Sequence, residues 1–175
     1  MIRELSVDDL LDIEETFFNS FPIEEAPITF TVIKKLVSQS AKEGNYCIGY
    51  QLDEKIVGVV GFSPVFFAPD TSISAYLLSP LATHKLHQKK GIATQLIETA
   101  KAHIRANNVD ALLVYGDPEY YARYGFDAIL GKHFVPPYPL EYEFGWQATM
   151  LNDKVVTNAT LHFTCVSALS DASLW

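Results

Sequence analysis

The chain has 175 residues, 49% hydrophobic and 13% aromatic, with 13 Lys and Arg against 21 Asp and Glu for a formal net charge of −8. That size and apolar content suit one folded domain, residues 1–175, with a large core, and exclude a disordered chain. Two cysteines, Cys47 and Cys165, give neither a disulfide framework nor a metal site, and no apolar run is long enough to span a bilayer.

The opening Met1-Ile2-Arg3-Glu4 begins a strand over 2–5 and is no signal peptide, so the expected location is cytoplasmic. The Asn158-Ala159-Thr160 sequon is accordingly disregarded. Ser6, with Asp9 three residues on, reads as a helix cap. Leu10, Leu11, Phe17, Phe18 and Phe21 follow at helical spacing, so a helix runs to about Asn19 and breaks at Phe21-Pro22. A second helix is expected over Thr29–Glu43, stopped by Gly44. Tyr46–Leu52 alternates as a strand, Asp53-Glu54 turns it, and Lys55–Phe62 returns. After a loop marked by Pro64 and Pro69, residues 72–83 form a strand whose Ser79-Pro80 predicts a bulge or splayed end. A helix follows Gly91, with Ala93, Leu96, Ile97, Ala100 and Ile104 on its core face. Ala111–Tyr115 is a short apolar strand suited to a parallel crossover, and Pro118–Tyr124 a short helix. Strands are expected near Phe126–Leu130 and Gln147–Asn152, separated by a loop over 131–146 with three prolines and five aromatics. Residues 152–175 are a C-terminal extension, and the alternation over Val155–Val166 predicts an extra strand there.

The most informative stretch is Leu81-Ala82-Thr83-His84-Lys85-Leu86-His87-Gln88-Lys89-Lys90-Gly91-Ile92-Ala93. An apolar strand ends, a basic turn follows, and an amphipathic helix opens. Backbone N–H groups at a helix start lack partners and, with the helix dipole, favour an anion such as phosphate. Gly91 has no Cβ and lets backbone approach such a group. Within 85–105, Lys85, Lys89, Lys90, Lys101 and Arg105 face Glu98 alone, a positive island on an acidic chain. Cations beside a helix start are misplaced unless an anion joins them, so a specific small anion is expected and no nucleic acid. A solvated basic turn is the ordinary alternative.

Gln88-x-x-Gly91-x-Ala93 resembles the Arg/Gln-x-x-Gly-x-Gly/Ala pyrophosphate loop of the GNAT superfamily of N-acetyltransferases. Gly116-Asp117-Pro118-Glu119-Tyr120-Tyr121-Ala122-Arg123-Tyr124-Gly125-Phe126 resembles that family's Tyr-x-x-x-Gly-Phe segment. The resemblance covers about residues 1–152 and is closest to the bacterial branch of predicted acetyltransferases. It implies an α/β fold with a mixed, mostly antiparallel central sheet flanked by helices, one step of the sheet being parallel. It also implies acetyl-CoA as cofactor, with the pyrophosphate on Gln88, Lys89, Lys90, Gly91, Ile92 and Ala93, and Thr94 just inside the helix. The pantetheine arm would run beside Leu81, Ala82 and Thr83. Here Lys85 stands where proline is common, Thr83 where valine is, and Lys89 and Ala93 where glycines are.

By the same resemblance Tyr121, four residues before Gly125, is the general acid for the departing thiolate. A phenol is protonated at neutral pH and can serve so, whereas three tyrosines on one short helix also read as core. Arg123 would reach a CoA phosphate or lie solvated. No general base stands out. Glu24, Glu25, Glu141 and Glu143, on two loops rich in Pro and aromatics, would attract or deprotonate an ammonium, and Tyr76 would point into the acceptor cleft. His133 lies in the second of those loops, while His84 and His87 belong to the basic turn. The aromatics of 131–146 would shield the thioester, cap the sheet edge, or join two copies as a homodimer.

The function expected is transfer of an acetyl group from acetyl-CoA to a small-molecule or peptide amine by direct attack in a ternary complex, with no nucleic-acid or membrane partner. One alternative is a non-catalytic acyl-CoA-binding regulatory module on the same fold. The other is a nucleotide-binding protein, for which the Gly-x-Gly-x-x-Gly and Gly-Lys-Ser/Thr patterns are missing.

Overall fold

The computed structural model describes residues 1–69, 71–156 and 160–175. The sequon's Asn158 and Ala159 therefore lie outside the described residues, as does part of the 155–166 stretch. The chain divides into two compact units, one of residues 1–63 and 79–100, the other of 64–78 and 101–175.

In the first unit, β1 (Ile2–Glu4) pairs antiparallel with β2 (Tyr46–Leu52), and β2 with the part of β3 (Lys55–Phe67) that ends at Ser63. Asp53 and Glu54 turn the hairpin at φ 46° and 65°, left-handed values that match the strand twist. Ser6 and Asp9 form the expected reciprocal cap, which opens a single 3-10 turn before α1 (Leu10–Ser20). Ile13, Thr16 and Phe17 face inward, and the Thr16 hydroxyl donates to the Ile56 carbonyl. The second helix begins earlier than its spacing suggests: α2 (Ala26–Ser38) takes Pro27 into its first turn, where a missing N–H costs nothing. Then α3 (Ser40–Glu43) ends at Gly44.

β3 runs on through Pro64 to Phe67, five residues past its expected end, because Val65–Phe67 find a partner in β8 (Leu161–Cys165). β4 (Ala75–Thr83) starts three residues later than expected and lies parallel to β5 (Ala111–Tyr115), from Ala75↔Ala111 to Leu78↔Val114. α4 (Ile92–Ala106) joins these two strands in the chain. β5 is antiparallel to β7 (Trp146–Met150). The strand order is β1-β2-β3-β4-β5-β7, a mixed and mostly antiparallel sheet flanked by helices. A second parallel pair, β6 (Phe134–Val135) with β8, lies off this path and inside the stretch read as loop.

The short helix α5 (Pro118–Ala122) forms as expected, two residues shorter. The strand expected at Phe126–Leu130 does not form. Only Asp127 bridges, to Ala148, and its carboxylate then accepts the Leu130 N–H (2.9 Å) to cap α6 (Ala128–Gly131). The short alternation of apolar residues could serve either structure, and the aspartate cap decides it. Among the described residues no helix is long and apolar enough to cross a membrane, and no cluster of three or more His, Cys, Asp or Glu is placed to hold a metal.

Asp110 anchors the second unit. Its carboxylate, 3% exposed, accepts the Ser74 N–H (2.8 Å), the Ser74 hydroxyl (3.0 Å), the Asn152 amide (2.6 Å) and the Lys154 ammonium (2.9 Å). Burial alone would raise its pKa, but the donors from Ser74, Lys154 and Asn152 prevail and hold it down to about 2. A depressed carboxylate pKa gives stability that is complete above the unfolded value near ~3.9 and fades as pH falls toward the folded one. Asp110→Asn should therefore cost roughly 2 kcal/mol at neutral pH, with charge-assisted bonds lost from a buried site. Thermal unfolding should also show a flatter loss between about pH 4 and 2 than in the parent chain. Equal melting curves at both pH values would remove Asp110 from this role.

Candidate functional site

The basic turn belongs wholly to the first unit. Ile92 and Leu96 are buried, and a Cβ at Gly58 of β3 would fall 2.5 Å from Ile92 Cγ2, so the helix start lies directly on the strand. The turn is held at its other end by the His84 N–H donating to the Val57 carbonyl (2.9 Å). Between these anchors it clasps itself. His84 Nδ1 accepts the Leu86 N–H (3.3 Å) and caps the 3-10 turn Lys85–His87. The Gln88 amide donates to the Thr83 carbonyl (3.1 Å), and the Lys90 ammonium to the Leu86 carbonyl (2.9 Å). Burial, then His87 and Lys85, push the His84 pKa down against the pull of Glu15, which favours the neutral ring that this cap requires.

Lys89 and Gly91 are left-handed, at φ 60° and 78°. A Cβ at Gly91 would meet nothing within 4 Å, so the space before the turn is open. The Gln95 N–H returns to the Gly91 carbonyl (3.0 Å), but the N–H groups of Gly91, Ile92 and Ala93 have no acceptor among the described residues. Lys85 and Lys89 are exposed and make no ion pair among them. Of the five cations counted in the sequence, Lys101 and Arg105 are occupied elsewhere, donating to the Tyr124 (2.7 Å) and Leu151 (2.8 Å) carbonyls. The turn can thus offer an anion converging N–H groups, a helix start and two uncommitted ammonium groups.

Tyr121 belongs to the second unit. Asp117 caps α5 by accepting the Glu119 N–H (2.9 Å), and Pro118 opens it. The Tyr121 ring lies flush on Gly116: a Cβ there would be 2.6 Å from its Cε2. Gly116 is fixed in turn by its N–H donating to the Gly145 carbonyl (2.9 Å). The ring makes edge contacts with Tyr120 (5.0 Å between centroids) and Phe126 (5.7 Å). Its hydroxyl makes no hydrogen bond among the described residues. Burial raises its pKa, with Tyr124 and Asp117 adding to the effect, so the phenol stays protonated beyond the usual range. Arg123 is exposed and lies over the Tyr120 ring at 4.7 Å.

The 131–146 segment of this unit lines a pocket of about 590 Å³ that is open to solvent. Its floor includes Trp146, whose indole N–H donates to the Phe134 (2.7 Å) and Gly131 (3.0 Å) carbonyls. Trp146 stacks on Phe163 (6.0 Å) and lies 6.0 Å from Trp175. Glu143 starts a 3-10 turn to Gly145 and lines the cavity. Glu141 does not; its carboxylate raises the pKa of the neighbouring Tyr142 phenol.

The remaining candidates are dispersed. Leu81, Ala82 and Thr83 end β4 in the first unit, beside the turn, and the Thr83 hydroxyl is buried with no hydrogen-bond partner among the described residues. Glu24 and Glu25 are exposed ahead of α2, where Glu25 occupies the cap position without capping. Tyr76 is half-buried on β4 opposite Leu112, its pKa raised by burial. Ala93 is half-buried and Thr94 exposed in the first turn of α4. The sequence reading missed Gly116 as the seat of Tyr121, though it stands at the head of the Gly-Asp-Pro motif. It also missed Lys132 as a cavity residue, for which no local pattern gave a signal.

A family model described as an acetyltransferase (GNAT) domain matches residues 1–129. Among curated proteins, the uncharacterized N-acetyltransferase YjhQ of Escherichia coli (strain K12) is 31% identical over 115 residues, 63% of each chain. The uncharacterized N-acetyltransferase YhbS of the same strain is 27% identical over 96 residues, 53% of this chain and 57% of the relative. The chain thus spans about three fifths of the curated relatives it matches. Among solved structures, the GNAT family N-acetyltransferase YhbS from Escherichia coli in complex with CoA is similar at a TM-score of 0.81. It is 21% identical, over 98% of this chain and 92% of that one. A GNAT family acetyltransferase from Brucella melitensis in complex with acetyl-CoA is similar at 0.66, also 21% identical, over 89% and 90%. These likenesses establish the fold.

The Gly116 contact makes its own prediction. Gly116→Ala forces the Tyr121 ring to move and should cost about 1–3 kcal/mol, as overpacking does. It should also alter the near-UV circular dichroism. In a double-mutant cycle with Tyr121→Ala most of that cost should vanish; a cost that persists undiminished would place the strain elsewhere.

Proposed function

This chain belongs to the GNAT acetyltransferase family, and from that premise we propose that it transfers the acetyl group of acetyl-CoA to an amine in a ternary complex. The observation that carries the reading is the open turn at Gly91, where φ is 78° and a Cβ would meet nothing within 4 Å. A pyrophosphate there would accept the N–H groups of Gly91, Ile92 and Ala93, with Lys85 and Lys89 supplying charge. Gln88 and Lys90, which clasp Thr83 and Leu86, would hold the turn in shape and bind through their backbone. Thr94 would add a hydroxyl just inside the helix. The end of β4, Leu81–Thr83, would pair with the pantetheine arm. Pro80 lacks an N–H and the parallel ladder ends at Leu78, which supports a strand end open to that role. The solved relatives described as complexes with CoA or acetyl-CoA support the same choice of ligand.

The reaction is an aminolysis. An ammonium first loses a proton. Its nitrogen then attacks the thioester carbonyl carbon, a C–N bond forms, and the C–S bond breaks as the second proton leaves nitrogen. Tyr121 gives its phenolic proton to the departing sulfur and is reprotonated through water, so that one proton is released overall. Its raised pKa leaves it fully protonated at neutral pH and makes it a weaker acid than a free phenol. Holding both reactants removes the entropic cost of their encounter. Glu141 and Glu143, and the separate pair Glu24 and Glu25, would concentrate the ammonium. Tyr76 would line the acceptor's path, and Arg123 would serve a CoA phosphate only by leaving the Tyr120 ring. The acceptor would be a small-molecule or peptide amine, met in the cytoplasm.

Calorimetry with acetyl-CoA should show binding that Gly91→Glu abolishes, since a long anionic side chain would occupy the open space and repel phosphate. Unchanged affinity in a folded variant overturns the site. With a cognate amine, Tyr121→Phe should slow release of free CoA by ~10²–10⁴-fold. Turnover within twofold of the parent chain would return Tyr121 to packing. Acetyl-CoA binding with no release across an amine panel would favour a regulatory module.

A further inference from the structure

Resting on the transferase reading above, we infer that the cavity of the 131–146 segment binds the acceptor as a small zwitterion, an α-amino acid with an apolar side chain. At about 590 Å³ the cavity has the size of a small-molecule site. Phe134, Pro136, Tyr138, Leu140 and Trp146 make its walls apolar. Two lining residues are charged, Lys132 and Glu143, of opposite sign. Both are exposed, and neither forms an ion pair among the described residues, not even with the other. An open, mostly apolar pocket with one uncommitted ammonium and one uncommitted carboxylate at its surface complements a ligand with an apolar body and one charge of each sign. A polyamine would need several carboxylates and would be repelled by Lys132.

The polarity of binding follows from the backbone. Glu143 opens the 3-10 turn that ends at Gly145, whose carbonyl holds the Gly116 N–H, and Gly116 seats the Tyr121 ring. The carboxylate that would take the ligand's ammonium is therefore two residues from the backbone that positions Tyr121. The other charge, Lys132, follows α6 and would take the ligand's carboxylate. In the reaction the ligand's α-nitrogen gives up two protons and forms the amide as the thioester C–S bond breaks. One proton ends on CoA sulfur and one in solvent.

Binding can be read without turnover, because Trp146 lines this pocket and the chain's other tryptophan, Trp175, has its ring centroid 6.0 Å from that of Trp146. The full chain is titrated with L-phenylalanine, L-leucine, 2-phenylethylamine and spermidine, followed by tryptophan emission and calorimetry. The amino acids should bind and shift the emission, 2-phenylethylamine about tenfold more weakly, and spermidine should leave it unchanged. Lys132→Gln should remove the amino acids' advantage over 2-phenylethylamine, and Glu143→Gln should weaken all three about tenfold, as loss of a charged hydrogen bond does. Acetyl-CoA affinity and the circular dichroism spectrum should stay unchanged in both variants. Amino-acid affinity indifferent to both substitutions, or a preference for spermidine, would overturn the inference. The two readings fail separately. Amino-acid binding with these charge effects but no CoA release removes the transferase reading and keeps the cavity's ligand. CoA release with spermidine and none with amino acids keeps the transferase reading and removes this one.

Discussion

An α-helix cannot satisfy its own first N–H groups, and much of the first unit serves to fix where those of α4 point. Ile92 and Leu96 press onto β3 at Gly58, and His84 ties the far end of the turn to Val57 on the same strand. Gln88 and Lys90 spend their donors on the turn itself. The result is a braced arc whose open groups are its N–H groups and the ammonium groups of Lys85 and Lys89, while Gln88 and Lys90 are tied back to the turn. Rigidity matters because a dipole already oriented costs no reorganisation when an anion arrives.

The second unit relies on aromatic packing and backbone contact. Tyr121 is wedged against Gly116, Gly116 is pinned to Gly145, and Gly145 adjoins Trp146, which pairs with Tyr115 across β5 and β7. Trp146 in turn packs on Phe163 of β8 and near Trp175. The C-terminal extension thus closes the wall of the cavity's tryptophan. A phenol held in this way, with no hydrogen bond to its hydroxyl among the described residues and its pKa raised, keeps its proton. Asp110 secures the same unit from the opposite end of β5, where four donors outweigh the cost of burying its charge.

Local patterns in the sequence determined much of this. The Asp53-Glu54 hairpin, the Ser6–Asp9 cap, the inward face of α4 and the short helix at Pro118 each follow from residues within one or two turns of one another. Such interactions are encoded nearby, and so is the family resemblance carried by Gln88–Ala93 and Gly116–Phe126. The β3 extension past Pro64, the parallel pairing of β6 with β8, and α6 in place of a strand at 126–130 depended on partners far along the chain. A two-residue strand has no period to read. Nor does sequence show which cations are already spent: Lys101 and Arg105 counted toward a basic patch until backbone carbonyls were found to hold them. By itself, then, the sequence determined the family resemblance, the order of elements from β1 to α5 and the basic turn ahead of α4. Only tertiary structure decided that Gly116 seats Tyr121 and that Lys132 and Glu143 line one apolar cavity, because both facts rest on close approach between residues whose spacing carries no code.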